Sequence, residues 1–306
     1  YIRFLLFSLA IVYLSKVNKN FYNSFFKFTF LTLLFVIIDA YIQFVFGKNL
    51  FNEEIYHLRD SNTLTLSTRV SGLFGDELIL GSYISRLIFI LIGLYIFCEK
   101  KYNHLFFSIF LISAFIIVFI TGERLAFFII LFCIVYIFTL ISNYRSKFII
   151  ILTVSFSIIF LIVAMNEGIK NRMIISTFAF LDNDKPRSYN NEENFMIFSG
   201  DHHEIYLAAY KMFLDKPLLG QGHKMYKENC KNYKNRSVSS CSTHPHNILL
   251  QIGVENGVIG LLFLFAIYLY LIKLFFYNLK KPRKYEKNKS FFFQICLLSI
   301  ITANIF

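Results

Sequence analysis

The stretch "STHPHNILLQIGVENGVIG", residues 242–260, places two histidines immediately before an apolar run. Histidine titrates near neutral pH and can take the proton of a hydroxyl group. Pro245 suits the first turn of a helix, and Thr243 or His244 can cap it. We therefore predict that His246 stands at the mouth of an apolar helix, where it is a candidate general base. The alternative is that His246 only caps the helix or lies at a membrane surface.

The same stretch separates small and polar residues on a helical projection. At about 100° per residue, its glycines fall within about 40° of His246; they are Gly253, Gly257 and Gly260. A polar stripe lies roughly 100° to 180° away and is formed by Asn247, Gln251 and Glu255. The glycine face could equally serve close helix packing. Glu255 could be the buried partner of an arginine.

Arginines that could hold a phosphate group occur at two further places. Arg69 and Arg86 flank the segment "RVSGLFGDELILGSYISR", and Arg124 lies in "TGERLAF", residues 121–127, where Gly122 makes a turn. Guanidinium groups bind phosphate oxygens through paired hydrogen bonds. Arg86 is expected roughly 12 Å inside a span, at 1.5 Å per residue, where a charge is costly and by default functional.

Each of these features also has an alternative explanation. Arg86 could form a structural ion pair with Asp39, which is expected at a similar depth. Charged residues often end helical hairpins, so Glu123 and Arg124 alone are a weak signal. The glycines of "DKPLLGQGHKMY", residues 215–226, mark a loop whose amides could bind an anion, but the pattern is too loose for a phosphate loop.

The composition indicates the elements that must position these residues. Of 306 residues, 56% are hydrophobic and 19% aromatic, which excludes an ordinary soluble domain and favours a polytopic membrane protein. Because the chain starts at Tyr1 and ends in an apolar run, we expect further helices beyond both ends. The net charge of +12 is explained by loop asymmetry, so no nucleic-acid partner is expected.

The fold class predicted is an all-α polytopic integral membrane protein with about eight transmembrane helices. The apolar stretches are 1–15, 28–46, 78–98, 105–120, 125–141, 147–165, 247–277 and 291–306. Four short connections on one side carry 13 Lys and Arg, whereas two on the other carry four. By the positive-inside rule, the first side is cytoplasmic and the long loop at 166–246 is external.

Three regions are expected from this arrangement. Residues 1–165 hold about six spans, 166–246 form a mostly helical external loop domain, and 247–306 hold the last spans. Cys230 and Cys241 lie 11 positions apart in the external loop, where an oxidising compartment favours a disulfide. Two free thiols are the alternative. A zinc site is a weaker alternative, because the neighbouring histidines match no standard zinc spacing. We therefore expect no metal site.

Several ordered blocks resemble the O-antigen ligase/O-antigen polymerase family of bacterial envelope enzymes. The family's most specific pattern is His-Asn, nine residues, then Gly-x-x-Gly, and it is matched by His246, Asn247, Gly257 and Gly260. The resemblance covers about residues 60–275 and also rests on "RVSGLFG" (69–75), "TGERLAF" (121–127), "DKPLLGQG" (215–222) and "THPHN" (243–247).

The resemblance implies a glycosyltransferase of the bacterial inner membrane that needs no cofactor. Its donor would be an undecaprenyl-diphosphate-linked oligosaccharide at the periplasmic face, and its acceptor either lipid A–core or a second lipid-linked glycan. His246 would activate the acceptor hydroxyl, while Arg69 and Arg124 would stabilise the leaving diphosphate. Further substrate-binding candidates are Arg86, His244, Asn247 and Glu255.

Some residues depart from the family pattern. "DEL" (76–78) replaces Asn-Pro-Asn, Glu123 replaces serine, and "DHHEIY" (201–206) replaces an arginine, so His202 or His203 could take over that arginine's contact. These changes favour a polymerase-like enzyme over a ligase. A transporter or flippase predicts several intramembrane charges, broken helices and internal repeats. The sequence has few such charges and no clear repeat, and its motifs gather on one outer face. A structural scaffold would not need His246.

Overall fold

The structure is a computed structural model dominated by helices. It describes residues 2–59, 66–98, 103–140, 145–175, 177–178, 200–233, 241, 244–245 and 247–279. The described residues up to 178 form one compact unit, and those from 200 to 279 belong to a second.

The first unit is built from apolar helices. They are α1 (Ile2–Val17), α2 (Phe21–Phe46), α3 (Leu80–Phe97), α4 (His104–Ile120), α5 (Arg124–Leu140), α6 (Arg145–Met165) and the short α7 (Glu167–Lys170), followed by a π-helical turn (Asn171–Ile175). Leu33, Ile84 and Ile117 are fully buried between these helices. The core therefore consists of aliphatic and aromatic side chains from α2 to α6.

A β-hairpin interrupts the helical pattern after α2. Strands β1 (Tyr56–Arg59) and β2 (Leu66–Arg69) pair antiparallel, with Tyr56 opposite Arg69. The all-α prediction is therefore correct for most of the described chain and missed this hairpin. Strands of four residues are too short to show a clear period-two pattern, which explains the miss.

Four described helices are long and apolar enough to cross a bilayer: Phe21–Phe46, Leu80–Phe97, Phe148–Met165 and Ile248–Leu274. Helices α4 and α5 have 17 residues each, or about 26 Å at 1.5 Å per residue, against a hydrocarbon core of about 30 Å. The predicted span at 291–306 lies outside the described residues. The chain is a membrane protein, and the number of eight spans stays a prediction.

The second unit contains α8 (Gly200–Asp215), the short α9 (Tyr226–Asn229), a 3-10 turn (Cys230–Asn232) and the long α10 (Ile248–Leu279). Helix α8 is amphipathic and packs against α10. Their small core contains Ile205, Ala208, Ala209, Met212, Tyr226, Cys230 and Val254. Helix α8 therefore stabilises the polar first turns of α10, which carry the family-like motif.

Candidate active site

The turn between α4 and α5 brings three arginines together. Gly122 adopts a left-handed φ of +72°, and a Cβ atom there would lie 3.1 Å from Cγ of Arg172 and 3.3 Å from Cγ of Arg69. Glycine is needed for both reasons, since the backbone is left-handed and two arginine stems cover it. Arg124 begins the next helix.

Each arginine donates to backbone carbonyl groups near this turn. Arg69 donates through Nε to Thr121 and through Nη2 to Leu78, both at 3.3 Å. Arg124 donates to the carbonyl of Arg172 at 3.0 and 3.2 Å, and Arg172 Nε donates to the carbonyl of Gly122 at 3.2 Å. These bonds hold the three guanidinium groups in place. We call Arg69, Arg124 and Arg172 the arginine cluster.

The arginine cluster brings like charges close together. Burial, followed by the positive charge of Arg172, lowers the pKa of Arg69 from 12.5 to about 10; Glu123 raises it and Arg124 lowers it. Bringing like charges together at a partly buried position costs free energy. A bound anion would relieve that cost, and the cluster therefore has the electrostatics of an anion site.

The Glu123 carboxylate, which lies beside the cluster, is hydrogen-bonded to the start of α3. Glu123 Oε1 accepts the backbone N–H of Gly81 at 2.6 Å, and Oε2 accepts the N–H of Ser82 at 3.0 Å and its hydroxyl at 2.6 Å. Glu123 thus caps the positive end of α3 and ties it to the α4–α5 turn. A Cβ atom on Gly81 would lie 2.6 Å from Thr121 Oγ1, so this close approach requires glycine.

Asp39 and Arg86 do not form the ion pair considered from the sequence. The buried Asp39 carboxylate accepts the backbone N–H of Leu50 at 3.0 Å, and within the described part of the chain no ion pair joins it to Arg86. Arg86 is an exposed residue of α3. Gln43 holds the segment after β2, because its Oε1 accepts the N–H groups of Ser71 and Gly72 at 3.0 and 2.7 Å. These bonds position the strand end that carries Arg69.

In the second unit, the loop at 217–222 enters a break in α10. Gly257 has a φ of +64° and a ψ of −159°, so the helix is interrupted there. Gln221 N–H donates to the Val254 carbonyl at 2.6 Å, Gly222 N–H to the Glu255 carbonyl at 3.1 Å, and Val258 N–H to the Pro217 carbonyl at 2.7 Å. The loop replaces the hydrogen bonds that the break removes from the helix.

The predicted glycine-lined face of α10 is wrong, because the projection assumed an unbroken helix. Gly257 forms the break, and a Cβ atom on Gly260 would lie 2.5 Å from Cβ of Asn256, which folds back across the break. Gly253 alone packs as expected, with Phe213 of α8 at 3.4 Å from the position of its absent Cβ. Gly257, the first glycine of the Gly-x-x-Gly pattern, is thus the residue at which the helix breaks.

The polar stripe has two parts. Asn247 caps α10, since its Oδ1 accepts the N–H groups of Leu249 and Leu250 at 3.0 and 3.1 Å. Glu255 is only 7% exposed; its Oε1 accepts from Gln251 Nε2 at 3.2 Å and its Oε2 pairs with His223 Nδ1 at 2.9 Å. Among the described residues, the partner of the buried Glu255 is therefore a histidine and not an arginine.

The predicted histidines are placed less completely. His246 lies outside the described residues, so its role as the base stays a prediction. His202 and His203 lie in the first turns of α8, and His244 is exposed ahead of α10. Cys230 and Cys241 form a disulfide with a Cα–Cα distance of 5.7 Å. Among the described residues, no group of three His, Cys, Asp or Glu side chains could hold a metal ion.

Sequence reasoning missed Arg172 and gave His223 no role beyond the zinc alternative. Arg172 follows α6 and α7 closely, at the beginning of the loop predicted to be external. By the positive-inside rule, basic residues are depleted there. An arginine so close to the outer end of a span could thus have indicated a functional residue. Counting the charges of the whole loop together hid this single position.

A comparison with protein families places this site in a known group. The O-antigen ligase family model matches residues 108–265, which is 158 of the 306 residues. The match includes Arg124, Arg172, the loop at 217–222 and the Gly257 break, whereas Arg69 and Arg86 precede it. A search of curated proteins found no match. Since more than half of the chain fits the family model, the chain belongs to the O-antigen ligase family.

Proposed function

We propose that the protein transfers a glycan from an undecaprenyl-diphosphate carrier to an acceptor hydroxyl at the periplasmic face of the bacterial inner membrane. The arginine cluster is the observation that carries this proposal. It concentrates three positive charges beside a turn within the first unit, and its Glu123 carboxylate is committed to α3. A diphosphate has the charge and the acceptor oxygens that such a cluster binds.

Arg69 has more donors than its bonds to the backbone require. A guanidinium has five N–H donors, and the two bonds of Arg69 to Thr121 and Leu78 use one donor each. Negative charge grows on the diphosphate as its bond to the sugar breaks. Fixed guanidinium groups therefore stabilise the transition state more than the ground state, which is the requirement for catalysis.

His246 is the proposed base, by the family spacing to Gly257 and Gly260. It would accept the hydroxyl proton while the acceptor oxygen attacks the anomeric carbon and the electron pair of the breaking bond moves to the diphosphate. In-line attack inverts the anomeric configuration. The His202, His203 and Arg86 side chains remain proposed contacts of the glycan or its carrier.

The acceptor defines two variants of the same reaction. A second lipid-linked glycan would make the protein a polymerase, which the departures at "DEL" (76–78) and Glu123 favour. Lipid A–core would make it a ligase, which the description of the matched family favours. The charge asymmetry of the loops supports the orientation with the loop at 166–246 in the periplasm and eight spans.

The test is transfer by the purified protein, with undecaprenyl-diphosphate-linked oligosaccharide offered with and without lipid A–core. We expect transfer by the wild type and its loss in Arg124→Ala and in His246→Ala. Arg145→Ala is the matched control, because Arg145 begins α6 on the predicted cytoplasmic side and is exposed. Full activity of His246→Ala would overturn the assignment of the base, and no transfer to either acceptor would overturn the function.

A further inference from the structure

His223 and Glu255 form a hydrogen-bonded pair that has no role in the proposed reaction. The Glu255 carboxylate is 7% exposed and the His223 side chain 46% exposed, with Nδ1 and Oε2 separated by 2.9 Å. Glu255 therefore engages Nδ1 of the ring. The other ring nitrogen, Nε2, can form a hydrogen bond with a hydroxyl group, because a hydroxyl both donates and accepts.

The backbone around His223 holds the ring in place. Gly222 has a φ of +104° and Lys224 a φ of +60°, so His223 lies between two left-handed residues, one of which is not glycine. The Met225 N–H closes the turn on the Gly222 carbonyl at 3.3 Å. Such a conformation of lysine costs free energy, and strained residues of this kind cluster at functional sites.

The pair is not needed to attach the loop to α10. Three backbone hydrogen bonds already join residues 217–222 to the break at Gly257, as described above. A buried carboxylate also costs more than an apolar side chain would at the same position. Glu255 accepts a hydrogen bond on one oxygen from Gln251 and contacts His223 through the other. This arrangement fits a function in which the imidazole ring of His223 must keep one orientation.

We propose that His223, oriented by Glu255, binds a sugar hydroxyl of the glycan through Nε2. A hydroxyl fits better than a phosphate, because the negative charge of Glu255 beside the ring repels an anion. The Gln251 amide, which donates to the same carboxylate, is uncharged and also suits a polar, uncharged ligand. His223 is in this role a glycan-binding residue, and Glu255 a positioning residue. The inference deepens the proposed glycan transfer and rests on it.

Two substitutions separate a binding role from a structural one. The amide nitrogen of asparagine lies about as far from the backbone as Nδ1, so His223→Asn can still donate to Glu255 but has no group at Nε2. The longer glutamine in His223→Gln reaches the Nε2 position instead. Lys231→Gln is the control, since Lys231 is an exposed residue of the same unit.

In the transfer assay, we expect His223→Asn to raise KM for the lipid-linked oligosaccharide roughly tenfold, as for one lost hydrogen bond. Its melting temperature should match the wild type, and His223→Gln should recover part of the affinity. Wild-type KM in His223→Asn would overturn the proposal. A second result would also overturn it. If His223→Ala lowers the melting temperature and raises KM, and His223→Asn restores both to the wild-type values, the pair has only a structural role.

A binding assay keeps this inference distinct from the proposed function. The oligosaccharide is released from its carrier by mild acid, and saturation transfer from the protein to its sugar protons is measured. Binding by the wild type that is lost in His223→Asn supports the proposal even if no transfer is seen. Equal signals from both proteins, or none from the wild type, overturn it, whereas a failed transfer assay alone bears on the proposed function.

Discussion

A Cβ atom on Gly257 would lie 2.3 Å from the carbonyl oxygen of Leu218, so the loop at 217–222 and the break in α10 touch backbone to backbone. The contact is reciprocal, because a Cβ atom on Gly220 would lie 2.5 Å from the carbonyl carbon of Glu255. Gly220 and Gly257 are far apart in sequence, but both must lack a side chain for the loop and the helix to approach this closely.

Substituting Gly257 by alanine should separate the loop from the helix. The added methyl group meets backbone atoms that cannot rotate away, and a left-handed φ is strained for alanine as well. We expect a loss of about 1–3 kcal/mol or more in stability, measured by thermal unfolding of the protein in detergent. Gly47→Ala isolates the strain, because Gly47 has a φ of +79° with nothing within 4 Å of its absent Cβ. Equal losses in both variants would contradict the contact.

Removing the Glu123 carboxylate should weaken the junction between the α4–α5 turn and α3. Glu123→Ala leaves the N–H groups of Gly81 and Ser82 without their charged acceptor, at an expected cost of about 1–3 kcal/mol. It also removes the charge that raises the pKa of Arg69, which should therefore fall further. Thermal unfolding checks the first effect. Glu77→Ala, an exposed site, should change little; an equally large loss there would argue against the cap.

Pyrophosphate should stabilise the protein through the arginine cluster. Anion binding to the folded state raises the free energy of unfolding by RT ln(1 + [L]/Kd), so the melting temperature should rise with pyrophosphate concentration. Arg172→Gln should weaken this effect roughly tenfold or more in Kd, as expected for a lost charge-assisted bond. Lys170→Gln is the control, since Lys170 is exposed nearby. A shift that survives in Arg172→Gln would exclude Arg172 from the anion site.

Reduction of the Cys230–Cys241 disulfide should destabilise the second unit. The bond closes a loop across 11 positions, and a loop of this size accounts for about 2–3 kcal/mol through the entropy of the unfolded chain. A lower melting temperature is expected in dithiothreitol and in the Cys230→Ser/Cys241→Ser variant. The double variant should no longer respond to dithiothreitol; if it does, another thiol is responsible.

Sequence patterns predicted what depends on local hydrophobicity and charge. The apolar runs that became α2, α3 and α6, the turn at Gly122 and the arginine at position 124 were all readable from residue types. The Gly257 break was not, because a helical projection assumes the regular geometry that the loop at 217–222 overrides. The partner of Glu255 was equally hidden, since His223 is 32 positions away and only the folded loop brings it there. Arg172 joined the cluster for the same reason.

The break at Gly257 also bears on how α10 fits a membrane. As one straight rod, its 32 residues would measure about 48 Å at 1.5 Å per residue, far more than the hydrocarbon thickness of about 30 Å. The segment after the break, 258–279, is about 33 Å long by the same rise and matches that thickness closely. Interrupting the helix thus removes a hydrophobic mismatch without strong tilting. In a bilayer crossed by 258–279, the segment that carries Gln251 and Glu255 would lie at the level of the lipid headgroups, where a sugar can reach it.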